Sequence, residues 1–149
     1  MGKVIAQFDG TLDRFAGDGI LIFFNDPLPV LAPGRRAACM AQAMQEHFAP
    51  LRERWQKIGY DLALGIGIAQ GYATLGAFGF EGRWDYSAIG SVVNLASRLC
   101  DEAQSGQVLI DQRTRATLGD EVDVEPTGPL NLKGLAQPVN AYLLKRLKP

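Results

Sequence analysis

Residues 11–24 read TLDRFAGDGILIFF, and the way this stretch folds decides the rest of the chain. Two short apolar runs flank Gly17-Asp18-Gly19. Asp and Gly are turn formers, so the spelling predicts a β-hairpin with Asp18 at its tip. An acid at a hairpin tip has two readings. It is a turn aspartate, or it is an oxygen ligand for a hard cation, with glycines on either side to let the backbone come close.

Before the hairpin, MGKVIAQFDG reads as the tail of a helix and a turn. After it, NDPLPVLAPG is a loop with three prolines. Apolar residues then recur by fours and threes at Ala37, Ala41, Met44, Phe48, Leu51, Trp55 and Ile58. This is the stripe of an amphipathic helix over residues 35–58, which Pro50 should kink or divide. DLALGIGIAQG, residues 61–71, alternates: Leu62, Leu64, Ile66 and Ile68 face one way, small residues the other. That predicts a strand, with its glycines marking close approach of another backbone or a ligand. Residues 72–90 read as a β arm with a Gly-rich turn, and 91–104 as a helix with Val92, Leu95, Ala96, Leu99 and Ala103 on one side. QVLID is a strand, QRTRATLG a short helix and VNAYLLKRL a final strand. Strands interleaved with helices in this order predict an α+β sandwich, one sheet covered by helices.

The bulk numbers remove several function classes. The chain has 149 residues, enough for one domain with a core. A net charge of -1 gives no field for nucleic acid or an anionic membrane. No apolar run approaches the roughly 20 residues of a membrane span, and no secretory signal is spelled at the start. Cys39 and Cys100 have no CxxC partner and read as reduced thiols of a cytoplasmic protein. A single histidine, His47, weakens any His-based triad or metal site. Carboxylates, Lys, Arg, Asn and backbone amides are left to carry chemistry.

Asn94 and Arg98 lie four apart, on a helix face away from the apolar one. They are a solvated face, or an amide and a guanidinium turned toward a phosphate-bearing ligand. Lys133, in LNLKGLAQPV, is a loop lysine or a flexible cation for phosphates. LGAFGFEG is Gly-rich but lacks the P-loop spelling.

Four blocks taken in order carry a resemblance: GTLDRFAGDGILIFF, LALGIGIAQGYATLGAFG, RWDYSAIGSVVNLASRLC and NLKGLAQPVNAYLL. They resemble the catalytic domain of class III adenylate/guanylate cyclases, the bacterial branch above all, across nearly the whole chain. The resemblance implies a ferredoxin-like α+β fold, a mainly antiparallel sheet with covering helices. It implies conversion of ATP, rather than GTP, to 3',5'-cyclic AMP and pyrophosphate with two Mg²⁺ or Mn²⁺ ions. It also implies a homodimer with sites between the subunits, and a cytoplasmic location, alone or below an upstream sensor or membrane domain. Position by position, Asp18 resembles a metal aspartate and Asn94 the ribose-orienting asparagine. Arg98 resembles the arginine on the α-phosphate and Lys133 the triphosphate lysine. Arg14 and Ser87 fall at the two base-contacting positions. These five would act across the dimer from Asp18. In that frame, the small-residue strand faces serve tight backbone approach in the dimer.

Two departures qualify the expectation. The family's first metal aspartate lies on an earlier strand, which nothing here matches. Asp9 and Asp13 are too close to the hairpin to replace it. The expectation is a single cyclase homology domain over residues 1–149 that lacks the family's first strand and first helices and is inactive alone. Arg14 stands where adenylate cyclases often have lysine, which leaves base choice open. A regulatory nucleotide-binding module without turnover is the second reading, and assembly through exposed sheet edges the third. The GG[DE]EF signature of diguanylate cyclases is absent.

Overall fold

The computed structural model describes residues 1–148. A short helix α1 (Gly2–Gln7) precedes the hairpin β1 (Thr11–Ala16) and β2 (Gly19–Phe23). Helix α2 (Pro33–Gln56) is followed by β3 (Ile66–Ile68) and a second hairpin, β4 (Thr74–Phe80) and β5 (Arg83–Ile89). Then come α3 (Ser91–Glu102), β6 (Val108–Asp111), α4 (Gln112–Leu118), β7 (Val122–Leu130) and β8 (Val139–Leu147). The central sheet runs β3-β6-β8-β7, with β3 and β6 parallel and the other pairs antiparallel. The two hairpins are separate two-stranded sheets.

Period-2 alternation sorts the sheet's side chains between two helical layers. Val108 and Ile110 of β6 and Leu144 of β8 pack with Ala38 and Ala41 of α2 and Leu118 of α4. Leu109 and Ala141, one residue out of step, pack with Leu99 of α3 and with Leu132. Leu99 has no exposed surface, so its burial contributes about 1.5–3 kcal/mol. Helices therefore cover both faces of the sheet.

The glycines of the 61–71 stretch have a cause within the chain. A Cβ on Gly67 would lie 2.3 Å from Ala96 O and 2.4 Å from Cys100 N, and one on Gly65 would lie 2.6 Å from Ala103 O. These small residues admit the backbone of α3 and the turn after it. The expectation that they serve approach of a second subunit is corrected.

That strand is also shorter than its alternation suggests. Only Ile66–Ile68 pair, with β6. Leu64 packs with Ile22 of β2 on a cluster formed by Val4, Ile5, Met40 and Met44. β2 and β3 thus share one helical floor, yet no ladder joins them among the described residues. Leu62 lies beyond this floor and is exposed. Helix α2 runs through Pro50 undivided. Its stripe is buried only in the first half, at Ala37, Ala41 and Met44, while Leu51 and Ile58 are exposed. Strand β7 has no counterpart in the sequence expectation. Pro126 and Pro129 hide it, and they are tolerated because β7 is an edge strand with register shifts at Asp123/Val124 and Pro126/Gly128.

Candidate active site

The register of the first hairpin steps from Leu12↔Ile22 to Arg14↔Leu21, which makes Asp13 the extra residue of a β-bulge. Bulges redirect side chains. Here the Asp13 carboxylate, only 2% exposed, reaches the second hairpin. Ser87 Oγ donates to its Oδ1 and Oδ2 at 2.9 and 3.0 Å, and the Ala88 N–H donates to Oδ2 at 3.0 Å. Arg14 Nη1 donates to Ser87 Oγ at 2.9 Å and lies 3.3 Å from Asp13 Oδ1. Arg14 and Ser87, 73 residues apart in sequence, are therefore in direct contact.

Beside this cluster opens a cavity of about 190 Å³ lined by Arg14, Ala88, Ile89, Gly90, Val93 and Asn94. That is several times the ~30 Å³ of a water molecule. The sequence builds it where β5 turns into α3. Gly90 precedes the helix and is packed closely, with its Cβ position 3.1 Å from Tyr72 O. Asn94 sits in the first turn of α3 and Arg14 on β1, so the two residues border one opening.

Arg98 lies one turn further along α3 and does not line the cavity. Its Nη1 pairs with Asp101 Oδ2 at 3.0 Å. Lys133 is exposed in the loop between β7 and β8. The neighbouring Leu132 is buried against Leu99, which ties that loop to the underside of α3. Asp18 is exposed in the hairpin turn, apart from the cavity. Its charge reaches Cys100 at the far end of α3. Loss of water around the Cys100 sulfur pushes its thiol up, and Asp101 and then Asp18 add to that rise. The residue keeps an open flank, but its Sγ is turned to Gly65 O at 3.4 Å. Cys39 and Cys100 are both free thiols.

No group of three or more His, Cys, Asp or Glu side chains gathers among the described residues. A two-ion centre does not fit these residues by themselves, because the hairpin tip supplies a single carboxylate. Asp13, within the hairpin itself, anchors Arg14 and Ser87. The sequence shows only an acid in a short apolar strand; the bulge that turns it inward is set by pairing with β2. No helix of the described residues is long and apolar enough to cross a membrane.

A mixed α+β domain of this fold has known counterparts. The adenylyl cyclase CyaB from P. aeruginosa superposes at a TM-score of 0.90 with 35% identity, over 99% of this chain and 77% of that one. The guanylyl cyclase Cya2 superposes at 0.90 with 31% identity, over 98% and 75%. Residues 17–146 match the adenylate and guanylate cyclase catalytic domain, and the chain belongs to that family. Among curated relatives, adenylate cyclase 1 of Rhizobium meliloti is 29% identical over 94% of this chain. The terminal-differentiation-specific adenylate cyclase of Dictyostelium discoideum is 32% identical over 93%. The chain spans 22% and 7% of the lengths of these two proteins.

Proposed function

We propose that this domain binds ATP in the cavity between β1 and α3 and belongs to an enzyme that cyclises it to 3',5'-cyclic AMP and pyrophosphate. One observation carries the reading: Arg14 and Asn94 line the same cavity, at the start of α3. Arg14, with Ser87 bonded to it, meets the base. Asn94 orients the ribose through its amide, which both donates and accepts. Arg98, freed from Asp101, faces the α-phosphate, where charge builds as the 3'-oxygen attacks. Lys133 follows the departing β- and γ-phosphates as a mobile point charge. In this step an O3'–Pα bond forms, the bond from Pα to the bridging oxygen breaks with pyrophosphate keeping its electron pair, and the 3'-hydroxyl proton passes to water.

Asp18 would supply one oxygen ligand to Mg²⁺ or Mn²⁺, in a site completed by groups beyond the described residues. Its separation from the cavity supports a head-to-tail homodimer, in which Asp18 of one copy serves the cavity of the other. A lone carboxylate makes a weak cation site, so the chain by itself turns over little or no ATP. A second reading, a nucleotide-binding regulatory domain without turnover, is favoured by the same lone carboxylate.

Equilibrium titration of a fluorescent ATP analogue into the 149-residue chain tests the site. Binding that weakens about tenfold or more in Asn94→Ala and in Lys133→Ala is expected, from the loss of a hydrogen bond or charge at the ligand. A folded chain that binds no nucleoside triphosphate would overturn the reading.

A further inference from the structure

Asp13, Ser87 and Arg14 form one hydrogen-bonded cluster that joins the two hairpins. Ser87 is 6% exposed and does not line the cavity. Its single proton goes to Asp13, and one of its two lone pairs is taken by Arg14. Asp13 in turn is held by the Ala88 N–H. The hydroxyl's proton is thus committed inside the protein, and its burial keeps the remaining lone pair off the cavity wall. Arg14 differs: its side chain is half exposed and lines the cavity. One of its nitrogens, Nη1, is fixed by both Ser87 and Asp13. A guanidinium is planar, so fixing one nitrogen against two oxygens orients the rest of the fork.

We propose that Asp13 is a positioning residue that acts through Arg14, with Ser87 as part of the same brace rather than a separate ligand contact. The inference rests on the nucleotide reading of the cavity. Its chemical consequence is specific. A guanidinium has donors and no acceptor. The braced fork therefore reads an acceptor on the base edges away from the sugar, N1 or N7 of the purine, and the exocyclic amine is left unread by Ser87.

The experiment compares the affinities of the 149-residue chain for ATP, 1-deaza-ATP, 7-deaza-ATP and purine riboside triphosphate, by displacement of a fluorescent ATP analogue. In the unaltered chain, one deaza analogue binds about tenfold more weakly than ATP, the size of a lost hydrogen bond to a charged donor. Arg14→Ala abolishes that ratio. Asp13→Asn and Ser87→Ala each reduce the ratio, and the double variant reduces it no further than the stronger single one, because both act through one guanidinium. Purine riboside triphosphate, which lacks the amine, discriminates equally in Ser87→Ala and in the unaltered chain.

A purely structural role for Asp13 would weaken all four ligands alike and leave the ratios unchanged, which overturns the proposal. Ser87→Ala removes only a hydroxyl and tests the same brace if Asp13→Asn does not fold. A change in discrimination against purine riboside triphosphate in Ser87→Ala would make Ser87 a direct contact and also overturn it. ATP binding with no deaza penalty sinks this proposal alone. Failure to bind any of the four sinks the nucleotide reading with it.

Discussion

Gly67 of β3 lies directly beneath Ala96 of α3, so close that a Cβ there would stand 2.3 Å from the Ala96 carbonyl oxygen. The helix is seated on the sheet by the absence of a side chain. Asn94 and Arg98 ride on that helix, one on each side of Ala96. Their height above the sheet is set by a residue that touches no ligand.

Gly67→Ala is accordingly expected to do two things. Overpacking against backbone costs about 1–3 kcal/mol. In a chain of this size that lowers the melting temperature by roughly 2–4 °C per kcal/mol. Lifting α3 also weakens ATP binding, by moving Asn94 off the cavity. Thermal melts and ATP titration on the same variant read both effects. Unchanged affinity in a destabilised variant would mean that α3 can shift without disturbing the site.

The Arg98–Asp101 pair makes a prediction of the opposite sign. Arg98 is held by a residue three positions on, at 3.0 Å, and must leave it to meet a phosphate. Asp101→Asn removes that competitor. Exposed pairs are worth ~0.2–1 kcal/mol, so ATP should bind up to about fivefold more tightly. The effect should shrink with added salt. Weaker binding in Asp101→Asn would show that Asp101 holds Arg98 in its working position.

Cys100 provides a pH readout at the other end of α3. Burial of its sulfur, then Asp101 and Asp18, push the thiol up from its ordinary range. Alkylation by iodoacetamide, measured in a Cys39→Ser background, should have its midpoint above the ~8.5 of a free thiol. Asp101→Asn and Asp18→Asn should each bring it down. For stability, a raised thiol favours the folded state below the unfolded thiol's value. That contribution is lost as pH rises through the folded value. A midpoint at or below the free-thiol value would contradict the burial of the sulfur, and one that Asp18→Asn leaves unmoved would contradict the placement of Asp18 near this helix end.

Asp111 ties the sheet to α4. Buried at 3% exposure, its Oδ1 accepts from Thr114 N at 2.9 Å, capping the helix, and lies 3.3 Å from Gln70 N. Asp111→Ala should cost about 1–3 kcal/mol, from the lost cap and the unpaired donors it leaves. Urea unfolding measures this. A loss under 0.5 kcal/mol (about the surface-substitution range) would show the cap to be dispensable.

Much of the fold can be read from the sequence because its signals are local. The Gly17-Asp18-Gly19 turn, the stripe of α2 and the short apolar run of β6 each follow from turn chemistry, period and composition. What stays hidden depends on neighbours. β7 carries two prolines that a central strand would reject, and only its edge position in the sheet admits them. The glycines at 65 and 67 promise a close approach, but the sequence does not name the visitor, which proves to be α3. At the site, Arg14, Ser87 and Asn94 are nominated by resemblance, and the chain does bring Arg14 to both Ser87 and the cavity. Arg98 and Lys133 do not line it: helix spacing puts Arg98 on the face of Asn94, but its side chain is turned to Asp101. Asp13 cannot be found from spacing because its role arises from a bulge, and a bulge is defined by the partner strand.

Whether this domain serves a cyclase is tested most directly by product analysis with Mn²⁺ and ATP, run in parallel on this chain and on the longest in-frame product of its gene. Cyclic AMP and pyrophosphate are expected in equal amounts from the longer protein, lost in its Asn94→Ala and Arg98→Ala variants, with little or none from the 149-residue chain. A folded longer protein that binds ATP but releases no cyclic nucleotide would contradict the cyclase reading, and would leave a regulatory nucleotide-binding domain in its place.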